Sequence, residues 1–358
     1  MLSRRFKSAV KHADQITGDS VPCLTACSNL ATDRARILAA RGHPSLPAAV
    51  GPISAESDVM RPASYGPFDY SAIIDRPKLQ WPNGARIACW VIPNIEFFAL
   101  DEAVPAAAGG SGGKAPDVPT WAVRDYGNRV GVFRLMQAFD RHAIRASVAL
   151  NSELCHWHPR ILEEGMKRDW EFMGHNESNT RRLNAVPAEE EAAVIRRTLA
   201  TIEAATGRRP KGWLGSGLQE TWDTLDHLAA AGVDYVLDWT NDDQPYPMRL
   251  SDGRSLLSVP YSQELNDKPA FEKMHRTADE FCTMICQQFD TLWREGAESG
   301  RVMAIALHPY ITGVPHRIGA LERALDYISR HDGVWWATGS EIAAAYRQAV
   351  AGTASQVF

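Results

Sequence analysis

From residue 65 onward the chain alternates short apolar runs with stretches whose apolar residues recur at helical spacing, and this alternation narrows the fold more than any other feature. Residues 86–95 (RIACWVIPNI) form an unbroken apolar run, as expected of a strand buried on both faces. Further strands are predicted at 145–150, 170–174, 211–214, 234–238, 255–260, 302–307 and 334–337. Helices are predicted at 131–142, 161–169 and 187–206; in the last, Pro187 takes the first turn and Glu189, Glu190 and Glu191 lie near its positive end. Residues 103–119, rich in Ala, Gly and Pro, are predicted to be a surface loop. Strands and helices in this order give an α/β fold with a mainly parallel sheet wrapped by helices. Polar residues gather where the predicted strands end, and in barrel-type α/β folds that face carries the chemistry.

Residues 1–62 have another texture: small and polar residues dominate, and Pro44, Pro47 and Pro52 interrupt any period. They are predicted to be an irregular extension outside the core, followed by one catalytic domain over 63–350 and a tail over 351–358. Met60 stands just before the change in composition, so a chain beginning there is expected to be sufficient. Of 358 residues, 45% are hydrophobic and 23% charged, which excludes a disordered chain. A formal charge of −5 provides no basic face for nucleic acid or anionic lipid, so the expected partner is a small-molecule substrate, with self-association left open.

The basic N-terminus (Arg4, Arg5, Lys7, Lys11) is not followed by the apolar run of a secretory signal. No stretch approaches the roughly 18–20 apolar residues of a membrane span, and the expected compartment is the cytoplasm. The six cysteines lack framework spacing and read as free thiols. Cys282 and Cys286 could share a metal on a predicted helix, but only His275 is near and no second pair completes a zinc set.

Five polar clusters follow predicted strands. In Asn94-Ile95-Glu96 an apolar run stops at a carboxylate, which is a general base if burial raises its pKa, or else an ordinary glutamate paired with an arginine. His175-Asn176-Glu177-Ser178-Asn179 is dense in groups that donate, accept or titrate, although a structural histidine would look the same. Asp238 to Tyr246 holds three carboxylates, Asp238, Asp242 and Asp243, beside Asn241; such crowding raises at least one pKa and calls for a cation or polar substrate, unless the loop is simply solvated. The segment from Tyr261 through Glu264 to Asn266 and Asp267 offers amide and carboxylate groups suited to ureido or imide edges. Leu307-His308-Pro309 puts a histidine at a strand exit, where an ordinary pKa near 6.5 lets it protonate a leaving nitrogen.

In Arg124-Asp125-Tyr126-Gly127-Asn128-Arg129-Val130-Gly131, Gly207-Arg208-Arg209-Pro210-Lys211-Gly212-Trp213, Asn241 to Tyr246, Pro260-Tyr261 to Asn266-Asp267, and Leu307-His308-Pro309, the chain resembles the polysaccharide deacetylase superfamily. Within it the likeness is to the allantoinase-like branch, which opens hydantoin rings, and it covers roughly residues 66–345. The resemblance implies a distorted (β/α) barrel of the polysaccharide deacetylase type, open at one side. It also implies a hydrolase for non-peptide C–N amide bonds in a small linear or cyclic amide of the allantoin, hydantoin or imide kind.

The resemblance implies adjacent or near-adjacent aspartates after the first strand, one a base and one a metal ligand, with two histidines spaced four apart completing the metal site. Here Glu96 stands for the base, Phe97 and Phe98 follow it, Asn179 occupies the second histidine position, and Trp213 is followed by Leu214-Gly215-Ser216-Gly217 where an arginine is expected. No cofactor is predicted, although Glu177 or Glu264 could recruit a divalent metal such as zinc. The expected catalytic set is Glu96 as base, His308 as acid, His175 polarising the carbonyl or holding water, and Asp238 orienting a histidine. Asn94, Asn176, Asn241, Asp242, Asp243, Glu264 and Asn266 are expected to bind substrate, with Trp213 and Tyr261 walling it. The rivals are a metal-dependent deacetylase of N-acetylated sugars and a catalytically silent ligand-binding barrel.

Overall fold

A computed structural model describes residues 65–354. The extension predicted over 1–62, Met60, Cys23 and Cys27 lie outside the described residues. Strand β1 (Ile87–Ile95) is buried along its whole length, as its unbroken apolar run requires. The following strands are β2 (Ser147–Leu150), β3 (Glu171–Gly174), β4 (Gly212–Trp213), β5 (Tyr235–Val236), β6 (Tyr246–Arg249), β7 (Ser255–Ser258), β8 (Arg301–Leu307) and β9 (Val334–Trp336). They form one nine-stranded sheet in the order β6-β7-β5-β4-β3-β2-β1-β8, with β9 paired to β1 off this path. Every pairing is parallel except β6 with β7. Strand β6 was not foreseen, because Pro247 and its half-exposed face hide the alternation that marks a strand.

Two features distort the barrel. Strand β9 takes Ile87–Cys89 of β1 while β2 pairs with only Asn94 and Ile95 of it, so β1 and β2 meet only at their carboxyl ends. Between β7 and β8 no ladder forms among the described residues; backbone from the connecting loops bridges the gap instead, with Val302 N–H donating to Asp243 O (2.9 Å) and Ala306 N–H to Leu265 O (2.9 Å). The result is a curled (β/α) half-barrel, open at one side.

Side chains on a strand alternate between faces, and here one parity fills the interior while the other meets the helices. Ala88, Trp90 and Ile92 of β1 pack inside with Ala149, Met173, Leu214, Tyr235, Leu257 and Ala304. Cys89, Val91 and Ile95 pack outside against the helical layer. That layer includes α1 (Val118–Tyr126), continued by a π turn (Gly127–Gly131) into α2 (Val132–Asp140), then α3 (Leu154–Trp157), α4 (Pro159–Lys167), α5 (Ala188–Thr206), α6 (Thr224–Ala230), α7 (Ala278–Glu295), α8 (Pro315–Ser329) and α9 (Gly339–Ala354). Helix α5 ends where Gly207 adopts φ +70°, and α7 begins with a capping box between Thr277 and Glu280. No helix among the described residues is long and apolar enough to cross a membrane.

Candidate active site

The interior parity of β1 runs 88, 90, 92 and continues to Asn94 and Glu96, and that of β8 runs 302, 304, 306 and continues to His308. Because β1 and β8 pair in register up to Pro93 and Leu307, the two continuations face each other. His308 Nε2 lies 3.5 Å from Glu96 Oε1. On β3 the same parity passes from Met173 to His175, whose Nε2 is 3.9 Å from the same oxygen. All three side chains are nearly closed off from solvent, with Glu96 8%, His175 2% and His308 4% exposed.

Their charges are set from behind. Asp267, fully buried, accepts from His308 Nδ1 at 2.7 Å, from the His308 backbone N–H at 2.8 Å and from Thr312 Oγ1 at 2.6 Å. Burial pulls the His308 pKa down, but the Glu96 and Asp267 carboxylates outweigh it and hold the imidazolium up to about 9. Burial pushes Glu96 up, yet the charge and hydrogen bond of His308, the nearby His175 ring and the charge of Lys268 bring it well below the usual carboxylate range. Burial alone would raise Glu96, as its place at the end of an apolar run predicts, but the balance goes the other way because His308 and Lys268 supply positive charge. His175 Nδ1 faces the Leu214 carbonyl, which can only accept, so the ring proton sits on Nδ1 and Nε2 points toward Glu96.

The remaining expected site residues separate into three places. Asn94, Tyr261 and Asn266 share a buried network inside the barrel, with Asn94 Nδ2 3.2 Å and Asn266 Nδ2 3.3 Å from the Tyr261 hydroxyl. Asn176, at φ +60°, is buried beside His175 with neither side-chain atom partnered. Asn241, Asp242, Asp243 and Glu264 line a separate cleft of about 580 Å3 that Tyr261 also borders. There Asp242 is held by both terminal nitrogens of Arg76 at 2.7 Å, and Asn241 accepts from the Tyr246 hydroxyl at 2.7 Å. Asp242 and Asn241 are therefore engaged with the strap before β1 and with β6, and the structure brings none of the four cleft residues to Glu96.

Two expectations are corrected outright. Trp213 does not wall the site: its parity is outward, and it packs with Val194, Ile195 and Leu199 of α5, so close over Gly174 that a Cβ there would lie 2.5 Å from the indole. Asp238 orients neither histidine. It accepts from Gly215 N–H at 2.7 Å and faces Glu220, while Asp267 and the Leu214 carbonyl hold the two rings.

In the sequence Asp267 stands out only as one polar group of the run after Tyr261 and Asn179 as part of the run after His175 and a lost ligand, while Asn151 and Ser216 carry no role. Asn179 Nδ2 donates to Glu96 Oε1, and its Oδ1 accepts from Ser216 Oγ and from Asn151 Nδ2 at 3.2 Å. Position at interior parity just beyond β2 and β4 was the available signal for Asn151 and Ser216.

The superfamily's usual metal fits these donors poorly. Among the described residues no group of three or more His, Cys, Asp or Glu side chains is set to hold an ion. The His308 ring is clasped by a carboxylate at each nitrogen, and one oxygen of Glu96 already accepts from an amide. Within the cluster, Glu96 Oε2 and His175 Nε2 are the carboxylate and imidazole atoms buried without a partner, two donors where zinc wants three from the protein. Beside the cluster a groove of about 1330 Å3 runs past Phe97, Phe98, Trp121, Trp157 and Thr180, with Phe97 and Trp157 stacked at 6.3 Å.

No protein-family model matches the chain. A Schizosaccharomyces pombe protein whose name places it among the polysaccharide deacetylases is 27% identical over 300 residues, 74% of this chain and 92% of that protein. A Helicobacter pylori peptidoglycan deacetylase is 23% identical over 249 residues, 61% of this chain and 84% of that protein. The crystal structure of PuuE allantoinase superposes with a TM-score of 0.69 at 23% identity, covering 78% of this chain and 98% of that one. The chain thus has the fold of PuuE allantoinase, and its sequence resembles proteins named as polysaccharide and peptidoglycan deacetylases.

Proposed function

We propose that this chain hydrolyses a non-peptide C–N amide bond in a small linear or cyclic amide, with Glu96 as general base and His308 as general acid. The observation that carries the reading is the facing pair itself: a carboxylate and an imidazole 3.5 Å apart at the carboxyl ends of neighbouring strands, the imidazole backed by Asp267 at 2.7 Å. At neutral pH Glu96 is ionised and His308 is protonated, the states a base and an acid need before the reaction begins. Glu96 Oε2 and His175 Nε2 are acceptors, so a water donating to both presents its lone pair to a carbonyl carbon. Glu96 takes a proton as the C–O bond forms; His308 Nε2 gives one to the departing nitrogen as the C–N bond breaks. Water and amide become acid and amine. His175 serves in this scheme as a water holder, because its Nδ1 proton is committed to Leu214.

A second reading, metal-dependent deacetylation of N-acetylated sugars, draws support from the names of the sequence relatives and from the breadth of the groove, larger than a small ureide fills. The two are separated by assaying hydantoins, cyclic imides, ureides and N-acetylated sugars with metal analysis and with chelator. The expected result is turnover of a ureide or cyclic amide that survives chelation. Chelator-sensitive turnover confined to N-acetylated sugars, with stoichiometric zinc, would establish the second reading instead.

A further inference from the structure

We infer that Asn179 is a positioning residue for the general base: its amide ties down one oxygen of Glu96 so that the other faces the reacting water, and Ser216 and Asn151 fix which way that amide points. The inference rests on the hydrolytic reading above and adds the device that orients its base.

Glu96 presents two unequal oxygens. Oε1 accepts from Asn179 Nδ2 and faces both histidines, whereas Oε2 is buried with no partner. A primary amide is nearly symmetric in shape but not in polarity, and flipping Asn179 would press its carbonyl against the carboxylate. Its orientation is dictated from the far side by Asn151, whose Nδ2 donates to Oδ1, and the Ser216 hydroxyl, which also lies 3.1 Å from the His175 carbonyl, gives its one proton over the shorter contact to the same Oδ1. Asn151 is itself fixed by backbone: its Oδ1 accepts from Phe97 N–H at 2.8 Å, and its Nδ2 donates to the His175 carbonyl. A backbone N–H can only donate and a carbonyl only accept, so polarity passes from main chain to Asn151, to Asn179 and to Glu96. The three polar residues follow β2, β3 and β4, and Asn179 N–H is fastened to Phe97 O at 3.0 Å beside the exit of β1. All three are buried, so water does not compete for these bonds.

The charged and titratable groups around Glu96 are His308 from the end of β8 with Asp267 behind it, His175 from the end of β3, Lys268 after β7, and the hydroxyls of Tyr261 and Tyr310. Asn179 contributes an uncharged donor to this ring. Replacing it by a carboxylate of nearly the same shape changes the electrostatics with little change in packing, which gives the test its selectivity.

The experiment compares the full chain with Asn179→Asp, Ser216→Ala and Ser216→Thr. It follows the Glu96 side chain by carbon-13 carboxyl titration, assigned with Glu96→Gln, alongside the pH profiles of kcat and KM. In Asn179→Asp the Glu96 titration and the acidic limb of kcat should both move to higher pH by about one unit or more, with KM changed by less than about threefold. Ser216→Ala should shift both in the same direction by less, and Ser216→Thr, which keeps the hydroxyl, should restore the wild-type values. Unmoved Glu96 titration in a folded Asn179→Asp or Ser216→Ala chain would overturn the inference, as would loss of kcat that only tracks a fall in thermal midpoint. If Asn179→Asp fails to fold, Ser216→Ala decides by the same criterion. A shifted titration in a chain that hydrolyses no amide would sustain the positioning role and sink the hydrolytic reading.

Discussion

Glu96 and His308 hold each other charged, and removing either should cost turnover in a way that identifies its role. Glu96→Gln and His308→Ala should each lower kcat by roughly 10²–10⁴-fold, the usual size of an acid–base contribution, without loss of fold. The wild-type profile should be bell-shaped, its basic limb near pH 9 where His308 loses its proton and its acidic limb below the ordinary glutamate range. Near-wild-type rates in both variants would end the mechanism. Asp267→Asn removes one of the two carboxylates that raise His308, so its basic limb should move to lower pH; a limb that stays put would show that Asp267 does not tune the acid. The sign for stability follows from the same shifts. The raised His308 stabilises the fold below its ordinary pKa and loses that contribution as pH rises through about 9, while the lowered Glu96 stabilises above its ordinary pKa and loses it in acid. Glu96, His175 and His308 were legible as polar groups at the ends of apolar runs. Asp267 was legible only as one carboxylate of the polar run after Tyr261; its place behind His308 was not, because that contact is made between segments 41 residues apart and carries no periodic signal.

At the scale of elements, the two-residue period decides which polar groups meet, and the short strands are where the sequence misleads. Strand β4 is two residues long, too brief to display its own alternation, so Trp213 could be taken for an inward residue when Leu214 is the one that faces the interior. Strand β5 is as short, and beyond it Asp238 meets Glu220 rather than a histidine. Burial raises the pKa of both carboxyls, Glu220 to about 7, and the charge of Glu220 raises Asp238 further. The sign here is opposite to that of Glu96. A carboxyl raised in the folded chain favours folding in acid and loses that advantage as pH climbs from the ordinary carboxylate range through about 7. Glu220→Gln should therefore flatten the dependence of thermal midpoint on pH and stabilise the fold at pH 8 by roughly 1–3 kcal/mol relative to pH 5. A variant whose midpoint follows the wild-type curve at both pH values would show that the pair does not share burial and charge.

For the molecule as a whole, the adjacency of β1 and β8 is the step that turns separate strand ends into a site, and it follows from parallel strand–helix units curling until early and late strands meet. The splaying of β1 from β2 by β9 was not legible, since three half-buried residues leave too faint a pattern. The described residues also close the end of the barrel opposite the site. Trp81 is buried there with its indole N–H on Arg301 O at 2.9 Å, and Glu171 accepts from Ser147 Oγ at 2.7 Å, from the Tyr235 hydroxyl at 2.8 Å and from Ser340 N–H at 3.2 Å. Helix α9 begins over that carboxylate, which ties the last helix to β2, β3 and β5 in one network. The strap that precedes β1 is fastened within the same body, through Arg249 N–H to Pro67 O at 2.6 Å, Arg249 to Asp69, and Arg76 to Asp242. Each of these contacts uses residues from Pro67 onward, so a chain shortened to begin at Met60 retains them all. Such a chain should stay soluble, keep its thermal midpoint within about 5 °C of the full-length value and keep its turnover. Aggregation, a larger fall in midpoint or loss of activity would show that residues 1–59 complete the barrel or the site.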